Sequence, residues 1–306
     1  MNQSHLPHAI IMKQSGREIT YHDVGVINNT IERFPSLSRS ALIGTICECL
    51  EWFNAAGNPK ATACRKVLES LEQQGIIRLP AKDNRWVGKQ RPKTIVFTER
   101  TQEQSLLKGS LSSFSPIEVI PIAHQDQSLW NEYMARYHPL GYKRPFGHRL
   151  CYFIYSGNQI FGCILLSGAA KALASRDRWI GWEKATRLQH LPWVINQSRY
   201  LIFPWVQVKN LASHALGQLA ARASGDFDAE WGFRPLLMET FVDPKYYSGT
   251  CYRAAGWSHL GETTGAGLAR PGKEYTSSPK LIFVKPLHPE CRELLCTGQL
   301  ATGNTE

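Results

Sequence analysis

The stretch "HRLCYFIYSGNQIFGCILLSGA", residues 148–169, constrains the fold more than any other part of the chain. Two apolar runs flank "SGNQ", whose Gly-Asn pair supplies a turn, so a β-hairpin is predicted. Around it lie further elements. "PIEVIPI" reads as a short strand, and "QDQSLWNEYMARYHPLG" as a helix broken at Pro139. After the hairpin come Trp-rich loops, "RDRWIGWEKATRLQHLPWVI", and then "SRYLIFPWVQVKNLASHALGQLAARASG", a strand turning into a helix. "RPLLMETFVD" is a further strand, "SGTCYRAAGWSHLGE" a helix and tight turn, and "KLIFVKPL" a last strand. The order β-α-β-β-loop-β-α-β-α-β over residues 116–290 predicts an α+β sheet with crossover helices. Residues 291–306, with "CRELLC", read as a polar tail.

Residues 1–93 have a separate organisation. "TYHDVGVINNTIERFP" predicts a first helix capped by Thr20 and closed by Pro35. "SLSRSALIGTICECLEWF" predicts a second, with Ser38 as a cap and Leu42, Ile46, Cys49, Leu50 and Phe53 at helical spacing. "NAAGNP" is a turn. A third helix, "KATACRKVLESLEQQG", places Cys64, Val67, Leu68 and Leu71 on one face and stops at Gly75. The short strand "IIRLP" and the basic hairpin "AKDNRWVGKQRPK" complete the order of a winged helix-turn-helix, whose third helix enters the major groove. Lys60, Arg65 and Lys66 lie off the apolar stripe, and Lys82, Arg85, Lys89, Arg91 and Lys93 crowd the wing. Such cations suit phosphate contacts, which position a protein without reading sequence. The alternatives are a docking or dimerisation module, or a scaffold with a solvated basic face. Residues 94–115, polar and Ser-rich, read as a linker.

Composition limits the function class. The chain has 306 residues with 43% hydrophobic content, enough to bury a large core. No apolar run approaches the ~18 residues of a membrane span, and the N-terminal sequence lacks the pattern of a secretory signal. A cytoplasmic protein without a membrane partner is expected. The eight cysteines contain no Cys-x-x-Cys pair and read as reduced core thiols. The net charge of +10 suits a polyanionic partner.

The order of elements resembles the GNAT acetyltransferase superfamily, and "YRAAGW", residues 252–257, matches its Tyr-x-x-x-Gly-aromatic pattern. That resemblance implies that Tyr252 protonates the leaving coenzyme A thiolate. The superfamily's acyl-CoA loop has the form Arg/Gln-x-x-Gly-x-Gly/Ala, with small residues that let backbone N–H groups reach a pyrophosphate. The corresponding junction here is "QVKNLASHA", residues 207–215, with neither glycine. Leu211 and His214 put side chains where bare backbone is needed. Asn210 is expected to cap the helix, Ala212, Ala215, Leu216, Leu219 and Ala223 to form its buried stripe, and Lys209 to attract a phosphate at most. Acetyl-CoA is therefore not the expected cofactor.

Longer motifs resemble the DruA family of the Druantia anti-phage systems, also found with or fused to bacterial transposases. They are "RYHPLGYKRPFGHRLCYFI", "SRYLIFPWVQVKNLASHALG" and "METFVDPKYYSGTCYRAAGWSHLGETTGAG". "LSRSALIGTICECLEWFNAAGNPKATACRKVLESLEQQGIIRLP" fits the segment that the fused proteins carry ahead of this domain. The resemblance implies a role in defence or mobile-element biology, with DNA and a defence-system helicase or a transposase as partners, and supplies no catalytic residue.

From the residues themselves, Glu239 and Asp243 bracket "ETFVD" at a strand end, where ligands sit in open α/β sheets. With Glu262, and a bend before Pro244, these carboxylates are candidates to hold Mg²⁺ for phosphodiester cleavage. The competing reading has Asp243 capping a turn and Glu239 paired with an arginine such as Arg253. "GYKRPFGHRL" interleaves Lys143, Arg144, His148 and Arg149 with aromatic residues, which suits single strands, and His148 is a candidate general base. The leading expectation is a DNA-binding, nuclease-like component of a defence or mobile-element system. The alternatives are an acyl-CoA-dependent N-acyltransferase with Tyr252 as acid and Glu239 as base, and a non-catalytic adaptor.

Overall fold

The computed structural model describes residues 9–33, 37–55, 59–80, 95–145, 147–171, 173–264 and 278–298. Strands β1 (Ile10–Gln14) and β2 (Arg17–Thr20) form an antiparallel hairpin. It has no counterpart in the sequence reading, because strands of five and four residues are too short to show a period. Helix α1 (Tyr21–Arg33) starts as predicted. The Thr20 hydroxyl accepts from the Asp23 N–H at 3.2 Å while the Asp23 carboxylate accepts from the Thr20 N–H at 2.9 Å, a reciprocal capping box. Helix α2 (Arg39–Cys49) is shorter than predicted, since Glu51 turns into the left-handed region at φ 48°. Helix α3 (Ala61–Gln73) buries Cys64, Val67, Leu68 and Leu71, as its periodicity predicts.

Three helices therefore stand in the expected order, but a winged helix is not established. Ile76–Pro80, predicted as a strand, has no strand partner among the described residues. The basic hairpin, with Lys82, Arg85, Lys89, Arg91 and Lys93, lies outside the described residues. Residues 50–60 separate α2 from α3, whereas a helix-turn-helix uses about three or four.

The segment read as a linker belongs to the larger domain. A 3-10 turn at Glu99–Thr101 is followed by β3 (Leu107–Gly109). Thr101 is buried, and its hydroxyl donates to the Glu132 carboxylate at 2.5 Å, as do the backbone N–H and hydroxyl of Thr98. Next come β4 (Ile117–Pro121), α4 (Gln127–Tyr137), β5 (Arg149–Ser156) and β6 (Gln159–Gly168), the last two forming the predicted hairpin. The Trp-rich stretch read as loops contains two short helices, α5 (Ala174–Ile180) and α6 (Lys184–His190). Then follow β7 (Val194–Ile202), β8 (Val206–Val208), α7 (Leu211–Trp231), β9 (Leu237–Val242), α8 (Thr250–Ala254), β10 (Ser258–Glu262) and β11 (Leu281–Pro286). The supposed polar tail begins with α9 (Cys291–Thr297), which buries Cys291 and Leu295. The sequence hid it because about two turns of helix carry only two core side chains.

Seven strands form one sheet in the order β10-β11-β9-β7-β6-β5-β4. Its described pairs are antiparallel except β7–β9, joined by the α7 crossover. This is a mixed sheet in an α+β domain. Helices cover both faces, which explains the near-continuous apolar runs of β5 and β6. On one face Phe153 of β5 meets Tyr133 of α4 edge-on at 6.4 Å. On the other, Tyr200 of β7 donates to the Ala212 carbonyl of α7 at 2.7 Å. α7 also guards the edge strand: Gln218 pairs with the backbone of Val119 (3.0 Å) and Ile117 (2.6 Å), removing bonding sites that would template aggregation. No helix among the described residues is long and apolar enough to cross a membrane.

Burial pushes the Glu132 carboxyl up, but the bonds from Thr101 and Thr98 outweigh it and hold the group below the ordinary carboxylate range. Its stabilising effect is present above about pH 4.3, the ordinary glutamate value, and is lost as pH falls through the folded value. Glu132→Gln is expected to lower Tm at neutral pH and to flatten the acid-side loss of stability, as read from melts between about pH 3 and 7.

Candidate functional site

The centre of the sheet is where β7 and β9 run parallel, but they pair only over Val194↔Leu237, Ile195↔Met238 and Asn196↔Glu239. Immediately after, β7 carries a bulge. Leu166 opposes Gln197 and Leu165 opposes Arg199, leaving Ser198 as the extra residue. Bulges bend a strand and re-aim its side chains, and here the strands part. Beyond the last paired residues the contact passes to side chains. The Thr240 hydroxyl donates to the Gln197 backbone carbonyl at 2.9 Å, and the Tyr252 hydroxyl to the Gln197 side-chain oxygen at 2.6 Å.

Tyr252 reaches this point from α8. The turn before that helix uses Gly249 at φ 73°, where a Cβ would stand 2.6 Å from the Phe283 ring. Tyr252 stacks on Phe283 at 5.4 Å and meets Tyr200 edge-on at 6.4 Å. Burial pushes its phenol well above the ordinary tyrosine value.

On the opposite face, register places Arg149, Ser167, Asn196 and Glu239 in one polar row across the sheet. Glu239 is fully buried at its end. Its carboxylate accepts from the Ala170 N–H at 2.6 Å and from Arg176, also fully buried, at 2.8 Å. The Arg176 guanidinium further donates to the Ala170 carbonyl at 2.8 Å and to Asp177 at 2.7 and 3.0 Å. Asp177 in turn accepts from Trp182 at 3.1 Å and Arg187 at 3.2 Å. Burial pushes the Glu239 carboxyl up, opposed by Arg176 and the Ala170 N–H. Burial alone would lower Arg176, but Glu239 and Asp177 hold it as a firm cation. Along the row, Asn196 Oδ1 and Arg149 Nε are buried with no partner among the described residues.

The structure does not bring the predicted carboxylates together. Glu239 is clamped by Arg176 rather than Arg253. Asp243 lies beyond the strand end, paired with Lys280 and accepting from the Lys245 N–H at 3.1 Å as a turn cap. Glu262 is exposed at the end of β10. Among the described residues no group of three or more His, Cys, Asp or Glu is placed to hold a metal ion. An Mg²⁺ site built on Glu239 and Asp243 thus requires breaking two ion pairs, one wholly buried, and the residues present do not fit the ion.

The other predicted residues divide by exposure. His148 is buried, edge-on to Phe233 at 5.1 Å and Phe227 at 5.8 Å, and burial lowers its pKa to about 4, which leaves the ring neutral near pH 7. Its Nε2 has no partner among the described residues. Lys143 and Arg144 are exposed. Lys60 is half-buried at the N-cap of α3, and Arg65 and Lys66 are exposed in its first two turns. Lys209 is exposed, and its N–H donates to the Gly109 carbonyl of β3 at 3.1 Å. Asn210 occupies the N-cap of α7 with a left-handed backbone (φ 64°) and makes no side-chain cap bond, contrary to expectation. Leu211 is buried at the first turn, and Ala212 is only half-buried. Sequence reasoning missed Arg176, Asp177 and Gln197. The available signal was "SRDRWIGW", where two arginines bracket an aspartate inside a Trp-rich segment.

The sequence profile of the Druantia protein DruA family matches residues 70–295, about three quarters of the chain. No curated protein matches it significantly. Among solved structures, similarity is found to an N-acetyltransferase from Staphylococcus aureus Mu50. Identity there is 11%, coverage is 56% of this chain and 99% of that one, and the TM-score is 0.35. The aminoglycoside acetyltransferase AAC(6')-Ib, in complex with coenzyme A and kanamycin, is 14% identical, covering 58% and 97%, with a TM-score of 0.37. A spermidine N-acetyltransferase SpeG chimera from Vibrio cholerae and hSSAT is 9% identical, covering 56% and 96%, with a TM-score of 0.37.

Removing one partner of a buried ion pair strands the other charge. Arg176→Met is expected to cost about 3–5 kcal/mol in urea unfolding, whereas Arg176→Met with Glu239→Leu recovers most of that loss. Equal destabilisation by the single and double variants would show that the pair does not act as a unit.

Proposed function

The chain belongs to the Druantia protein DruA family, and from that premise we propose that it is a DNA-binding component of an anti-phage defence system. The observation that carries this reading is the solvent face of α3. Its buried stripe turns Arg65 and Lys66 outward, and Lys60 precedes them at the helix start. The acidic residues follow further along, with Glu72 neutralised by Arg39 through two bonds of 3.0 and 2.9 Å. Phosphate attraction is therefore concentrated at the N-terminal half of the helix, where the macrodipole adds to it. Lys143 and Arg144 are further exposed cations of the chain. These contacts hold a duplex without reading its bases. The protein's role is recruitment, with a helicase or transposase of the same system as the partner that acts on the DNA.

Acyl transfer is a second reading, favoured by one observation, the parting of β7 from β9 at the Ser198 bulge. Against it, the Glu239 carboxylate is occupied by Arg176 and the Ala170 N–H, and the Tyr252 hydroxyl is already donated to Gln197. Calorimetry with acetyl-CoA is expected to show no micromolar binding; a micromolar Kd would replace the first reading by the second.

Filter binding to a duplex across a salt series tests the DNA reading. Log affinity is expected to fall linearly with log salt, and Arg65→Glu with Lys66→Glu to reduce the slope by about 2. Negligible binding at low salt, or an unchanged slope in the variant, would overturn it.

A further inference from the structure

The turn that follows β9 carries two adjacent tyrosines, Tyr246 and Tyr247, which are 63% and 61% exposed. Large aromatic rings left this open contribute nothing to the core, and here both stand on a fixed base. The N–H groups of Tyr246 and Tyr247 both donate to the Asp243 carbonyl, at 3.1 and 2.9 Å. The Asp243 carboxylate caps the turn through the Lys245 N–H and is tied to Lys280 on the neighbouring segment. The far end of the turn is closed by Arg253, which donates to the Ser248 carbonyl at 2.5 Å. The rings do not stack on one another: their centroids are 6.5 Å apart and their planes inclined at 55°.

Cations belong to the same turn. The Lys245 ammonium lies 5.4 Å from the centre of the Tyr246 ring, and exposed Arg253, which closes the far end of the turn, lies 5.2 Å from the centre of the Phe283 ring. Asp243 is the acidic group at the base of the turn, and Lys280 neutralises it. The turn follows the C-terminal end of β9, one of the two strands that part at the sheet centre, and ligands of open α/β sheets gather at such ends.

We propose that Tyr246 and Tyr247 form a stacking platform for an unpaired strand of nucleic acid, with Lys245 and Arg253 holding its phosphates. Two separate aromatic faces beside cations match successive bases of a single strand, because every base has a π-face and the backbone between bases is anionic. A duplex offers no such face along its length. The inference rests on the nucleic-acid reading above and adds a second ligand form, so that the chain engages duplex through α3 and an opened strand through the turn after β9.

Fluorescence anisotropy with the full chain separates the two. The probes are a labelled oligo-dT of about 12 nucleotides, an abasic oligonucleotide of equal length, and a matched duplex. Tyr246→Ala with Tyr247→Ala is expected to weaken oligo-dT binding by on the order of 10-fold or more per ring, with duplex binding unchanged. Tyr246→Phe with Tyr247→Phe is expected to keep oligo-dT affinity, since stacking needs the ring and not the hydroxyl. Arg65→Glu with Lys66→Glu is expected to weaken duplex binding and keep oligo-dT affinity. Both rings lie outside the core, so an unchanged Tm is expected for each variant and separates loss of binding from unfolding. Equal oligo-dT affinity for wild type and the alanine variant would leave the pair as a protein-docking patch and overturn the inference. So would wild-type binding of the abasic strand as tightly as oligo-dT, or duplex binding with no oligo-dT binding. Loss of every probe by the wild type would overturn the DNA reading as well.

Discussion

Glu239 and Arg176 meet at 2.8 Å with neither side chain exposed, and most of the molecule is arranged around that contact. A buried ion pair is stabilising only when each remaining donor and acceptor also finds a partner. Here the Ala170 backbone supplies both a donor and an acceptor, and Asp177 takes the rest of the guanidinium. This fixes α5 over the β7–β9 junction. Asp177 then holds Trp182 and Arg187, and so α6. α6 is the seat of other elements: His190 bonds the Leu295 carbonyl of α9 at 2.7 Å, and Lys184 pairs with Glu51 at 3.3 Å just beyond α2. Lys171, next to the Ala170 anchor, pairs with Glu48 at 3.6 Å and lies 3.8 Å from the Phe53 ring. The N-terminal helices are thus docked through a chain of contacts that starts at one carboxylate in the sheet.

At the same junction the β7–β9 ladder ends after three residue pairs, and Gln197, Thr240, Tyr252 and Tyr200 continue the contact with bonds of their own. The helix after β8 begins with a left-handed Asn210 and a buried Leu211, where a pyrophosphate cradle needs small residues. The N–H of Lys209 is taken by β3, so the segment from 95 to 115 has become part of the wall.

The sheet was legible in the sequence because its elements are long and strongly patterned. The β5–β6 hairpin, the 21-residue α7 and the strands β9 and β11 stand where periodicity put them. What was illegible depends on partners distant in sequence. β3 is a strand only because β8 lies beside it, and α9 carries two core residues that gain meaning against α5 and α6. The site shows the same limit. Glu239 was visible as a strand-end carboxylate, but its partner lies 63 residues earlier in a segment that reads as loop. Asn210 looked like a cap by residue type, yet its backbone conformation turns the side chain from that role. Capping at Thr20 was readable because both members of the box lie within one turn.

Charge among the described residues differs with depth. Several ionisable groups of the described interior are held by neighbours: Glu239 by Arg176, Glu132 by Thr98 and Thr101, and Tyr252 by Gln197, while His148 is a neutral ring among phenylalanines. A group that is paired and dry has to be released before it can move a proton, and the cost of stranding its partner opposes release. The rim is different. Arg65, Lys66, Lys143, Arg144, Lys209, Lys245 and Arg253 are exposed, and the net charge is +10. The interior therefore serves as a rigid frame, whose ion pairs set the angles between helices, while the rim carries the field. On the proposed DNA reading, such a frame leaves binding to the surface, because polyanion binding draws its free energy from counterions released there.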